Sequence, residues 1–80
     1  MSVRATIEQT MTEVAAEHGK PLAHLRDEAR LSDLGLDSLC LAVIVARLED
    51  GFGVDPFGAD NEAPFPVTFG DFVRQYENAI

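Results

Sequence analysis

Residues 34–53 read LGLDSLCLAVIVARLEDGFG, in which residues 39–46 form an apolar run that ends where charge enters at Arg47. Asp37 stands just before the run, and its short carboxylate suits the cap of a helix reaching to about Asp50. Leu41, Ile44, Val45, Leu48 and Phe52 keep the i, i+3, i+4, i+7, i+11 spacing with large side chains, so this face is expected to enter the core. A second stripe, Leu39, Cys40, Ala42, Val43 and Ala46, is smaller and runs out onto Glu49 and Asp50 toward solvent. Gly51 and Gly53 then supply the chain reversal.

On the N-terminal side, Val3, Ile7, Met11 and Val14, with Ala15 beside it, recur at helical spacing while Glu8, Glu13 and Glu17 fall between them. Ser2 can cap this first helix, and Gly19 followed by Lys20 and Pro21 ends it near His18. Residues 19–36 make a long connection studded with Leu22, Leu25, Leu31, Leu34 and Leu36, and a loop of that length is functional or carries structure of its own. A short helix over residues 21–30, with Pro21 at its first position, is the expectation here. On the C-terminal side, glycines and prolines leave room for at most one helical turn around residues 59–63. Thr68, with Asp71 three residues on as capping-box partner, opens a last helix whose Phe69, Phe72, Val73, Tyr76 and Ile80 repeat the core spacing. The reading is all-α: a bundle of three to four helices with a long loop between helices 1 and 2, in one domain spanning residues 1–80.

Eighty residues support one core, since a chain this short buries only about 60% of its unfolded surface, and a deep substrate cleft does not fit. An apolar fraction of 46% is too high for a disordered chain. Fourteen acids against six bases leave a net charge of -8, which repels phosphate backbones and anionic headgroups and attracts a partner with a basic patch. Nucleic acid and membrane are therefore not expected partners. The single cysteine cannot close an internal disulfide, and no apolar stretch has signal-peptide or membrane-span length, so a cytoplasmic monomer is expected.

Chemistry concentrates at residues 34–39, LGLDSL. A serine at the first turn of a helix, behind a glycine turn and an acidic cap, meets free backbone N–H groups and the positive end of the helix dipole, which suits an attached phosphate.

This segment resembles the D-S-L signature of the acyl carrier and peptidyl carrier proteins, the phosphopantetheine-binding family. The resemblance extends over most of the chain, because the first helix, the leucine-studded loop, the second helix started by D-S-L and a last helix opened by Thr68 follow the family order. It implies that a phosphopantetheinyl transferase moves a 4'-phosphopantetheine arm from coenzyme A onto the Ser38 hydroxyl, with Asp37 as the family acid beside the transferase's metal ion. It also implies that the chain is no enzyme, but holds acyl or aminoacyl groups as thioesters for a loading enzyme and for an acyltransferase or synthase of fatty-acid, polyketide-like or other specialised acyl metabolism. Fatty-acid carriers place acids right after D-S-L and one turn later, where this sequence has Cys40 and Val43. The expected partner face is accordingly apolar, formed by Leu39, Cys40, Ala42, Val43 and Ala46 with Glu49 and Asp50 at its end. The alternative is that these small side chains are covered by the loop of residues 19–36 or by the short third helix. As the chain starts at Met1 without an attached enzyme domain, a stand-alone specialised carrier is expected.

Other readings are weaker on the residues themselves. Cys40 has no base beside it and reads as a small apolar helix residue, and His18 and His24 lack metal-ligand spacing. Asp50, Asp55, Asp60, Asn61 and Glu62 miss the calcium-loop pattern, so no metal site is expected. The serine-elbow pattern fails because Gly35 lies three residues before Ser38 and Cys40 stands where a glycine is needed. The competing function is an unmodified helical docking module that keeps the carrier fold.

Overall fold

The computed structural model describes residues 2–57 and 66–80. The turn expected around residues 59–63 lies outside the described residues. Among the described residues three α-helices form: α1 (Val3–Glu17), α2 (Ser38–Phe52) and α3 (Phe69–Ala79), with a 3-10 turn at Leu31–Asp33 in the connection between α1 and α2.

Each helix begins on a side-chain cap. Ser2 accepts from the Ala5 amide, Asp37 from the Cys40 amide, and Thr68 from the Asp71 amide while the Asp71 carboxylate accepts from the Thr68 amide, completing the reciprocal box. Such caps satisfy first-turn amides that have no intrahelical acceptor. At the other end of α2, Gly53 adopts a left-handed φ of 75° and donates its N–H to the Glu49 carbonyl, so the helix runs two residues beyond the expected Asp50.

α1 packs against both α2 and α3. Its Ile7, Met11 and Val14 meet Cys40, Ile44 and Leu48 of α2 and Phe69, Phe72, Val73 and Tyr76 of α3 in one buried cluster, completed by Leu31, Leu34 and Leu36 from the connection. Burying each of the larger side chains contributes roughly 1.5–3 kcal/mol, which makes this cluster the main source of stability. An Arg47 guanidinium bonded through both nitrogens to the Glu17 carboxylate joins α2 to α1, and Arg4 pairs with Asp27 while its guanidinium lies 5.2 Å from the Phe69 ring centroid.

The connection corrects one expectation, because residues 21–30 are not helical. Ala29 N–H closes one turn on Arg26 O, but two other carbonyls are spent elsewhere: Phe69 N–H donates to Ala29 O at 2.8 Å and Gly70 N–H to Asp27 O at 3.0 Å, so the segment caps the start of α3 instead of continuing as a helix. Ala23 N–H bonds Leu34 O, and Leu31 N–H bonds Val67 O, pinning both ends of the segment. Leu22 and Leu25 still point toward the core, which is the part of the pattern that reads as helical.

A second correction concerns which face of α2 is buried. The fully buried row is Cys40, Ile44 and Leu48, whereas Leu41, Val45 and Phe52 are half-buried at its edge. The seam is turned by about 60° around the helix from the one the large side chains suggest. A small thiol at Cys40 lets α1 approach there, and bulk alone did not mark the side on which that neighbour packs.

Candidate functional site at the start of α2

The turn leading into α2 is set by Gly35, whose φ of 91° is rare for an L side chain. A Cβ at Gly35 would stand 2.2 Å from the Pro21 carbonyl oxygen, so the absence of a side chain is what lets the connection pass behind the turn. Leu34 and Leu36 on either side are buried and anchor the turn to the core. The next two residues are thereby presented outward, and both Asp37 and Ser38 are exposed.

Asp37 uses its two oxygens separately. Oδ1 accepts from the Cys40 amide at 2.8 Å, and Oδ2 faces Lys20 Nζ at 3.5 Å. The Cys40 amide, with a smaller contribution from Lys20, holds the carboxyl below the usual carboxylate range, so it is ionised at neutral pH. Ser38 occupies the first position of α2, where the helix dipole is positive, and is exposed.

From Ser38, the positions three, four and seven residues on, Leu41, Ala42 and Val45, share its face, and with Asp55 and Phe57 they line a mostly apolar groove of about 480 Å³. The groove was missed in the sequence, where Leu41 and Val45 were assigned wholly to the core. Counting i+3, i+4 and i+7 from Ser38 would have found half of its lining, but Asp55 and Phe57 reach it only through the tertiary fold.

The strip expected beside the serine is divided by the structure. Leu39 is 61% exposed, and Ala42, Ala46, Glu49 and Asp50 are also exposed, on the side of α2 opposite the core. Val43 is half-buried against the core. Cys40 is the correction: it is 0% exposed and belongs to the central cluster, so it contributes nothing to the outer surface. Burial pushes its thiol above the ordinary range and leaves it a poor nucleophile, in line with its reading as a small apolar helix residue. Among the described residues no group of three or more His, Cys, Asp or Glu is arranged to hold a metal ion, and no helix is long and apolar enough to cross a membrane.

A phosphodiester fits this place on its structural merits. Ser38 is exposed, the helix end is positive, Lys20 stands beside the neighbouring Asp37, and an open groove that Ser38 helps to line runs along α2. The other two serines sit differently: Ser2 accepts a hydrogen bond as the cap of α1, and Ser32 lies inside the 3-10 turn.

Comparison with known proteins agrees with the geometry. Residues 5–60 match the family described as the phosphopantetheine attachment site. Among curated proteins, the non-reducing polyketide synthase CTB1 of Cercospora beticola is 39% identical over 54 residues, covering 68% of this chain and 2% of that protein. The chain thus spans only a small fraction of the length of this relative. No solved structure matches the chain. With its capped helix start and exposed hydroxyl inside the matched segment, the chain belongs to the phosphopantetheine attachment family and is a non-catalytic, phosphopantetheine-bearing carrier domain related to a polyketide synthase.

Proposed function

We propose that Ser38 is the residue that receives the arm, and that the domain carries acyl groups of polyketide type between enzymes. The observation that carries this reading is the exposed Ser38 hydroxyl at the first position of α2, between the ionised Asp37 cap and the groove lined by Leu41, Ala42 and Val45. Similarity to a polyketide synthase supports the cargo class, and the family match supports a carrier over an unmodified docking module.

In the reaction, the Ser38 hydroxyl attacks the phosphorus of coenzyme A that bears the pantetheine, the pyrophosphate bond breaks, and adenosine 3',5'-bisphosphate leaves. The proton leaves to a base of the transferase. Once attached, the arm supplies a terminal thiol on which cargo rides as a thioester. The chain's own contribution is placement. Gly35 and the buried Leu34 and Leu36 fix the turn, and Asp37 caps the helix through Oδ1, so that Oδ2, 3.5 Å from Lys20 Nζ, is the oxygen that would meet the transferase's metal ion. The exposed side of α2, formed by Leu39, Ala42 and Ala46 with Val43 at its margin and Glu49 and Asp50 at its end, is the proposed docking face for the transferase and the acyl-handling enzymes. The unit acts as one domain over residues 1–80, monomeric and cytoplasmic.

Incubation with coenzyme A and a broad-specificity transferase, followed by intact-mass measurement, tests the assignment. Wild type should gain the mass of one phosphopantetheinyl group and Ser38→Ala should gain none. An equal gain in Ser38→Ala would overturn it.

A further inference from the structure

Attachment of the arm creates an electrostatic problem at the start of α2. The new phosphodiester carries a negative charge on the residue next to the ionised Asp37, in a chain whose net charge is already -8. The helix dipole offsets part of this. A full positive charge within reach would offset more.

The cations of the chain are one lysine and five arginines. Arg4, Arg26, Arg47 and Arg74 are paired with Asp27, Glu28, Glu17 and Asp71 at other places on the surface, and Arg30 lies at the other end of the connection, its backbone bridged to Thr68 at the start of α3. Lys20 is the cation beside the site, with Nζ 3.5 Å from Asp37 Oδ2. Its base is held from both directions: Lys20 N–H donates to Ala15 O at 2.8 Å at the end of α1, and the following Pro21 carbonyl lies against Gly35. The ammonium has three donors on a flexible stem, so it can take a second acceptor without leaving the first. Asp37 keeps its cap role meanwhile, because the Cys40 amide binds the other oxygen.

From this arrangement we propose that Lys20 is the counter-ion and positioning residue of the arm's phosphodiester, bridging it to Asp37 and holding the first bonds of the arm against the start of α2. The proposal rests on Ser38 as the attachment residue. Lys20 thus has two successive duties: it orients the free oxygen of Asp37 in the unmodified chain, and it neutralises the new anion in the modified one.

The test compares wild type, Lys20→Gln, Lys20→Arg and, as a charge-matched control away from the site, Arg26→Gln, each in unmodified and arm-bearing form with modification verified by intact mass. The phosphorus NMR resonance of the arm-bearing protein should move in Lys20→Gln, return toward wild type in Lys20→Arg and stay in place in Arg26→Gln. The change in melting temperature on modification should be less favourable in Lys20→Gln than in wild type by about 2 °C, the size expected of one half-exposed ion pair in a domain this small. Full mass gain with coincident phosphorus resonances and equal melting shifts in all four proteins would overturn the role of Lys20 alone. No mass gain in wild type would overturn the attachment reading and this one with it.

Discussion

Replacing Gly35 by alanine probes the turn that presents the site. Two costs add. The φ of 91° is disfavoured for an L side chain by roughly 1–2 kcal/mol, and the new Cβ would stand 2.2 Å from the Pro21 carbonyl oxygen, a backbone atom that must move. Forced displacement of packed structure costs typically about 1–3 kcal/mol, so the sum is about 2–5 kcal/mol. Against a total stability of roughly 4–12 kcal/mol for a domain of this length, that is a large share. Two other glycines calibrate the scale. Gly53 has a φ of 75° and open space around it, so Gly53→Ala should show the conformational cost alone, about 1–2 kcal/mol. Gly51 lies within α2 with open space and ordinary backbone, so Gly51→Ala should stabilise by about 0.5–1 kcal/mol. Urea unfolding followed by far-ultraviolet circular dichroism gives all three numbers, provided the slope is unchanged. A Gly35→Ala protein within about 0.5 kcal/mol of wild type would refute the claim that the Pro21 contact holds the turn.

Three further outcomes are expected. Asp37 has its folded-state pKa lowered by the Cys40 amide, so its contribution to stability is present above the ordinary carboxylate range and is lost as pH falls through the lowered value; Asp37→Asn, which keeps a capping oxygen, should flatten that part of the acid limb below roughly pH 4 in a denaturation series. The Cys40 thiol, buried and held protonated, should react with a disulfide reagent only on unfolding, so the unmodified protein should show no fast thiol and the arm-bearing protein one; a fast thiol before modification would contradict its burial. Tyr76 is fully buried among Phe52, Phe57 and Phe72, its hydroxyl finds no hydrogen-bond partner among the described residues and burial raises its pKa far above the ordinary range, so Tyr76→Phe should be neutral or stabilising by up to about 1 kcal/mol in urea unfolding.

The helices and their starts were legible because the signals are local. Ser2, Asp37 and Thr68 with Asp71 cap where their positions before an apolar repeat say they should, and each bond spans only three residues. Residues 21–30 were not legible, since Pro21 and the leucine spacing are compatible with a helix and nothing local shows that the carbonyls of Asp27 and Ala29 are needed by α3, some forty residues later. Burial of Cys40 was hidden for a related reason. The large residues of α2 locate its apolar side only broadly, and the centre of the seam depends on where α1 packs. The serine and its cap were visible as a pair, whereas Lys20 joins them only through the close approach of Pro21 to Gly35.

The most direct test of the central claim is peptide mapping of the protein purified from its own cells. Cleavage after arginine and lysine releases residues 31–47, which contain both Ser32 and Ser38, and fragment ions separating the two serines locate any added mass. The account predicts a phosphopantetheinyl group, free or acylated, on Ser38. An arm on Ser32, or a population with neither serine modified, would contradict it.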